Sequence, residues 1–189
     1  MSTTKITINA EPLSVNNFRP YGSIVSPREQ ITKEIGEKQC NANQGTAIKI
    51  RKITQLQNDF NVKSTSNINI FQCFPQTIKT EEEKNTQHIC KILEKHPYSS
   101  QTFIPLCGNP DKYQYLVIVS NGTDKPDFTS LKAFLCRGDQ AVTYGKGTWH
   151  APMIVINDAP ITFSVLINEC DIDEMDCVEY DNVQITVNL

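Results

Sequence analysis

Two short stretches of this 189-residue chain hold two of its three histidines among residues able to exchange protons or bind a cation. "LEKHPYSSQTFIPL" (93–106) carries Glu94, His96 and Gln101 in the spacing Glu-x-His-x4-Gln, and "TYGKGTWHAP" (143–152) carries His150 behind a Gly-Lys-Gly turn. Imidazoles titrate near pH 6.5, which suits general acid and base work at neutral pH. Two imidazoles, one carboxylate and one amide also form a mixed N/O donor set that fits a borderline divalent metal. His96, His150, Glu94 and Gln101 are therefore the candidate catalytic residues, and the same four are candidate ligands for one divalent metal ion.

For these residues to meet, the chain must fold as strands that point them inward. Alternation in "HICKILEKH" puts Cys90, Ile92, Glu94 and His96 on one face and Ile89, Lys91, Leu93 and Lys95 on the other, so the lysine face is expected outside. An inward Glu94 among apolar neighbours is costly unless a proton, partner or metal compensates it. "PYSS" reads as a hairpin connection, with Gln101, Phe103 and Pro105 sharing one parity of the returning strand. Trp149, of opposite parity to His150, is expected on the other sheet face or at an interface, and Gly145 and Gly147 are expected to serve the turn. Lys146 between them could supply a cation to a substrate carboxylate. Asn43 and Thr46 in "NQGTA" are candidate binding residues, since a glycine turn exposes backbone N–H groups. His88 is read as lying in a polar loop without a role.

Strand signals dominate the rest of the chain: "KITINA", "YGSIV", "TAIKIRKI", "INIFQCF", "QYLVIVS", "KAFLCR", "QAVTY", "HAPMIVI", "ITFSVLIN" and "VQITVNL" are β-branched or aromatic runs between turn residues. Short helices are expected at "SVNNFRP", capped by Ser14, and at "ITQLQND" or within "IKTEEEKN". Many short strands predict an all-β barrel or sandwich, one domain over 1–189. Lys plus Arg total 18 against 21 Asp plus Glu, a balance of −3 that offers no footprint for nucleic acid or an anionic membrane. Seven scattered cysteines show no zinc spacing, and several sit in apolar runs, as reduced buried thiols do. The first residues lack a signal-peptide core and "YLVIV" is too short to span a bilayer, so a cytoplasmic protein acting on a small molecule is expected.

The pairing of Glu94-x-His96-x4-Gln101 with Gly147-x-x-His150 resembles the two-part layout of a cupin barrel, with Glu94 where a histidine usually stands and Gln101 in place of a glutamate. "FRPYGSIV" (18–25), "NQGTA" (43–47), "INIFQCFP" (68–75), "LEKHPYSSQTFIPL" (93–106), "YLVIVS" (115–120), "AFLCRGDQAVTYGKGTWHAP" (133–152) and "FSVLIN" (163–168) together resemble the ureidoglycolate lyase family. The resemblance implies a cupin-like antiparallel β-barrel, usually homodimeric, that splits ureidoglycolate into glyoxylate and urea in allantoin (purine) breakdown, an amidine-lyase reaction that needs no redox cofactor. Members often carry a second histidine at the position of Ala151 and an arginine at that of Gln72, so neither supplies a site residue here. The rival expectations are another cupin enzyme and a non-catalytic, small-molecule-binding cupin.

Overall fold

The computed structural model describes residues 3–31, 39–76 and 87–189. In chain order its elements are β1 (Thr4–Pro12), β2 (Gly22–Val25), α1 (Pro27–Gln30), β3 (Gln39–Ala42), β4 (Ala47–Ile50), β5 (Thr65–Cys73), β6 (Gln87–Cys90), β7 (Leu93–Lys95), β8 (Gln101–Pro105), β9 (Tyr113–Asn121), β10 (Asp127–Arg137), β11 (Ala141–Tyr144), β12 (Trp149–His150), β13 (Ile154–Val155), β14 (Ile161–Glu169), α2 (Asp173–Asp176), β15 (Val178–Tyr180) and β16 (Val183–Asn188). A nine-stranded sheet runs β15-β7-β12-β9-β10-β1-β16-β6, with β13 also on β9. A five-stranded sheet runs β2-β11-β8-β14-β5, and β3-β4 is a separate hairpin. The fold is all-β and curled into a half-barrel. Pairing is antiparallel except at β1, which runs parallel to both β10 and β16.

Burial explains why β9 is an almost unbroken apolar run. Its odd residues Tyr115, Val117 and Val119 face a core between the two sheets, with Phe103, Phe134, Val142, Tyr144 and Phe163. Its even residues Leu116 and Ile118 face a second core with Leu93, Trp149, Ile185 and Val187, all from the large sheet, which folds over itself. A strand covered on both faces needs no polar side.

Three sequence expectations change here. "HICKILEKH" is not one strand: it breaks after Cys90 into β6 and β7, which lie at distant positions in the sheet order. The lysine face is consequently not all outside, since Leu93 of that parity is fully buried in the second core. "PYSS" is not a hairpin turn either. β7 pairs with β12 and β15, whereas β8 pairs with β11 and β14, so the chain crosses between sheets.

The helices also fall elsewhere. "SVNNFRP" is a run of turns, although Ser14 caps it: the Asn17 amide donates to its Oγ at 3.3 Å and the Phe18 amide to its carbonyl at 3.3 Å. Phe18 is fully buried. "ITQLQND" is irregular, while "IKTEEEKN" lies outside the described residues. The two helices seen, α1 and α2, are single turns of four residues. His88 sits buried in β6, not in a loop, with Nδ1 3.3 Å from the Gln76 carbonyl. Among the described residues no helix is long and apolar enough to cross a membrane, and all seven cysteines are unpaired.

Candidate active site

The two histidine segments meet inside the curl. β12 pairs with β7 so that His150 is the direct cross-strand neighbour of Glu94. In such a pair the side chains share a face, and the His150 Nε2 lies 3.5 Å from Glu94 Oε1. His96 follows immediately after β7, its ring centroid 5.4 Å from that of His150. The turn before β12 is tied to it directly: Gly147 donates its amide to the His96 carbonyl at 2.9 Å. Gly147 has φ +73°, a left-handed conformation that a residue with a Cβ adopts only with strain. Gln101, at the start of β8 in the opposing sheet, lies close enough to His96 to bear on its charge.

Backbone carbonyls fix the tautomers. His150 Nδ1 is 2.9 Å from the Thr148 carbonyl, and His96 Nδ1 is 2.7 Å from that of Asp176. A carbonyl only accepts, so each neutral ring carries its proton on Nδ1 and leaves Nε2 as a free lone pair. Both Nε2 atoms are buried without a partner, as is Gln101 Oε1. Glu94, His96 and His150 each offer a ligand atom, all within 4.8 Å of one another. Unpartnered acceptor atoms thus converge on Glu94, an arrangement that a proton, a substrate donor or a cation relieves.

Charge follows the same geometry. Burial works against ionised Glu94, but the adjacent His150, with His96 nearby, outweighs it and holds the carboxyl below its ordinary value. Burial and the neighbouring His150 push His96 down, against the opposing pull of the Asp176 carbonyl, Glu94 and Gln101. The pair is therefore asymmetric: one imidazole is kept neutral beside a carboxylate kept charged.

The other candidates lie apart from this cluster. Lys146 is on the turn, but its Nζ is ion-paired with Asp59, and its amide donates to Gln57 Oε1 at 2.9 Å. Asn43 and Thr46 are both exposed on the tight turn of the β3-β4 hairpin, where Thr46 Oγ1 donates to the Asn43 carbonyl at 2.8 Å. Trp149 points into the second core, fully buried against Tyr180 and beneath Lys95, whose Nζ is 4.7 Å from the ring centroid. Its own chain covers it, so it presents no interface.

The sequence reading missed two contributors. The strap from Cys170 to Tyr180 supplies the Asp176 carbonyl that orients His96, from 80 residues away. Its acidic residues Asp173, Glu174, Asp176 and Glu179, with Cys177, line a cavity of about 430 Å³, a surface that repels anions. Tyr144 is the second: it stacks on His150 with ring centroids 4.0 Å apart and planes 13° apart. Burial, then Cys136 and Glu94, push its phenol well above the ordinary range. "QAVTY" does predict the strand, yet only the register Tyr144–Gln101 places that ring at the site. On the other side of β11, Gly22 of β2 packs so closely that a Cβ would meet the Thr143 carbonyl oxygen at 2.0 Å.

A family model described as ureidoglycolate lyase matches residues 5–188. The chain belongs to the ureidoglycolate lyase family. It is 44% identical to "Ureidoglycolate lyase" of Saccharomyces cerevisiae over 187 residues, covering 92% of this chain and 93% of that protein. The Schizosaccharomyces pombe relative of the same name is 35% identical over 79% of this chain and 78% of its own length, and a Burkholderia mallei relative is 30% identical over 80% and 77%. Against that family background the two departures fall away from the cluster. Ala151 is buried in the second core, and Gln72 is exposed on β5, the last strand of the smaller sheet.

Proposed function

We propose that this chain is a ureidoglycolate lyase, cleaving ureidoglycolate to glyoxylate and urea by acid/base elimination, an amidine-lyase reaction of allantoin breakdown. The observation that carries the reading is the convergence of the unpartnered His96 and His150 Nε2 atoms on Glu94 in a chain that matches this family along almost its whole length. Ureidoglycolate is a carbinolamide: losing the hydroxyl proton drives formation of the aldehyde carbonyl as the C–N bond breaks, and the ureido nitrogen takes up a proton as it leaves. His96, kept neutral, accepts the carbinol proton. A proton shared between Glu94 and His150 passes to the nitrogen. Each such transfer contributes about 10²- to 10⁴-fold. Gln101 orients the substrate, and Lys146 binds its carboxylate by exchanging Asp59 for it. Asn43 and Thr46 serve as binding residues through the exposed turn they share. The family match favours this reading over another cupin enzyme or a binding-only cupin.

The donor set also fits one divalent metal ion: the two Nε2 lone pairs, the Glu94 carboxylate and Gln101 Oε1 would hold it. Bound there, it would stabilise the oxygen that loses its proton. A homodimer is favoured by the outer face of the smaller sheet, where Ile68 and Ile70 are 72% and 74% exposed and Ile104 and Leu106 are exposed across β14 from them. Unpaired thiols suit the cytoplasm. The deciding experiment measures urea against ammonia from ureidoglycolate, before and after chelation. Equimolar urea and glyoxylate is the expected result; ammonia, or no product, overturns the reading, and full activity after chelation removes the metal.

A further inference from the structure

We propose that the Tyr144 hydroxyl is a substrate-contacting catalytic group, donating a hydrogen bond to the carbinol oxygen as its proton leaves; this rests on the lyase reading above. The other unpartnered buried atoms around His150 are acceptors. His96 Nε2, His150 Nε2 and Gln101 Oε1 are buried and unpartnered, and Glu94 is a carboxylate. Ureidoglycolate brings its own donors, the carbinol O–H and the ureido N–H groups, to satisfy them. Its oxygens need a donor from the protein, above all the one that gathers negative charge during C–N cleavage. Among the described residues two buried hydroxyls lack a partner, those of Ser99 and Tyr144, and of these Tyr144 is the one stacked face to face on His150.

Two geometric relations put the Tyr144 ring beside the histidine cluster. Its ring lies 4.0 Å from that of His150. Its strand places it directly across from Gln101, so the two side chains share the interior face. In keeping with that placement, burial, then Cys136 and the nearby Glu94, hold its phenol protonated and able to donate. Tyr144 is only 1% exposed, and a phenol hydroxyl buried without a partner is a cost to the fold that a phenylalanine would avoid. A substrate oxygen gives that hydroxyl its bond. A donor already aimed where charge develops requires no rearrangement during the reaction.

The test is Tyr144→Phe, which keeps the ring, the stack and the volume. Expected are a melting temperature equal to or above that of the parent and a kcat about 100-fold lower, with KM within about threefold, the signature of a bond made mainly in the transition state. A kcat equal to the parent's overturns the inference, whatever happens to KM. Tyr144→Leu, which also removes the stack on His150, is expected to lose at least as much as Tyr144→Phe; Tyr144→Leu impaired with Tyr144→Phe at parent activity would show that the ring and not the hydroxyl matters, and would overturn it. The parent enzyme assayed in parallel for urea separates this outcome from failure of the lyase reading, in which neither parent nor variant releases urea.

Discussion

Trp149 and His150 are adjacent residues, both at most 1% exposed, on opposite faces of the same two-residue strand. Trp149 serves a core made of apolar side chains from one self-covering sheet, and its lone unpartnered atom, Nε1, is isolated there. His150 serves an interior where unpartnered polar atoms occur together. One unsatisfied group is a tolerated packing cost; several that occur together mark a place shaped for something absent from the fold itself. Burial alone does not separate the two faces, whereas the company of orphaned atoms does.

Substitution of the pair sharpens that contrast most. His150→Ala is expected to lower kcat about 10³-fold while costing less stability than its neighbour. Trp149→Ala is expected to cost about 3–5 kcal/mol in urea denaturation, with activity per folded molecule retained. If the two variants lose activity and stability alike, the division between faces fails. Next in size, Glu94→Gln should lower kcat about 100-fold with KM little changed, since it removes the charge that shares a proton with His150. Lys146→Ala should raise KM about tenfold through loss of one charge-assisted bond and leave kcat intact; an unchanged KM would limit Lys146 to its pairing with Asp59.

The smallest effect is on stability against pH. Burial holds His96 and His88 below their ordinary value of 6.5. Below that pH the unfolded chain binds protons that these folded histidines refuse, so stability should fall as pH drops from about 6.5 through the folded values. Glu94 adds a second loss at lower pH. Its carboxyl is held below 4.5, so its contribution is complete above 4.5 and disappears as pH falls through the folded value. Melting temperature recorded from neutral to acid pH should decline in both windows, and His88→Gln should flatten only the first.

Much of this was legible in the residues. Alternation and turn chemistry located most strands, and the spacing of Glu94, His96, Gln101 and His150 named side chains that do come together. Alternation failed in "HICKILEKH" because it assumes one continuous strand with one wet face. The large sheet covers both faces there, and the break between β6 and β7 is set by which partner strands are available. Tyr144 was invisible for a related reason: its role depends on register with Gln101, a relation between strands that local sequence does not encode. The Asp176 carbonyl is a backbone atom, and no residue type announces it.

The parallel seam between β1 and β16 has a consequence for how the molecule is made. Asn188 Nδ2 donates to Asn9 Oδ1 at 2.7 Å across 179 residues of chain. At ribosomal speeds of about 5–20 residues per second, a segment near the beginning waits roughly 10–40 s for its neighbour to emerge. During translation that edge is open to pairing with other nascent chains, so dilution and chaperone occupancy, more than final stability, should govern the yield of active enzyme.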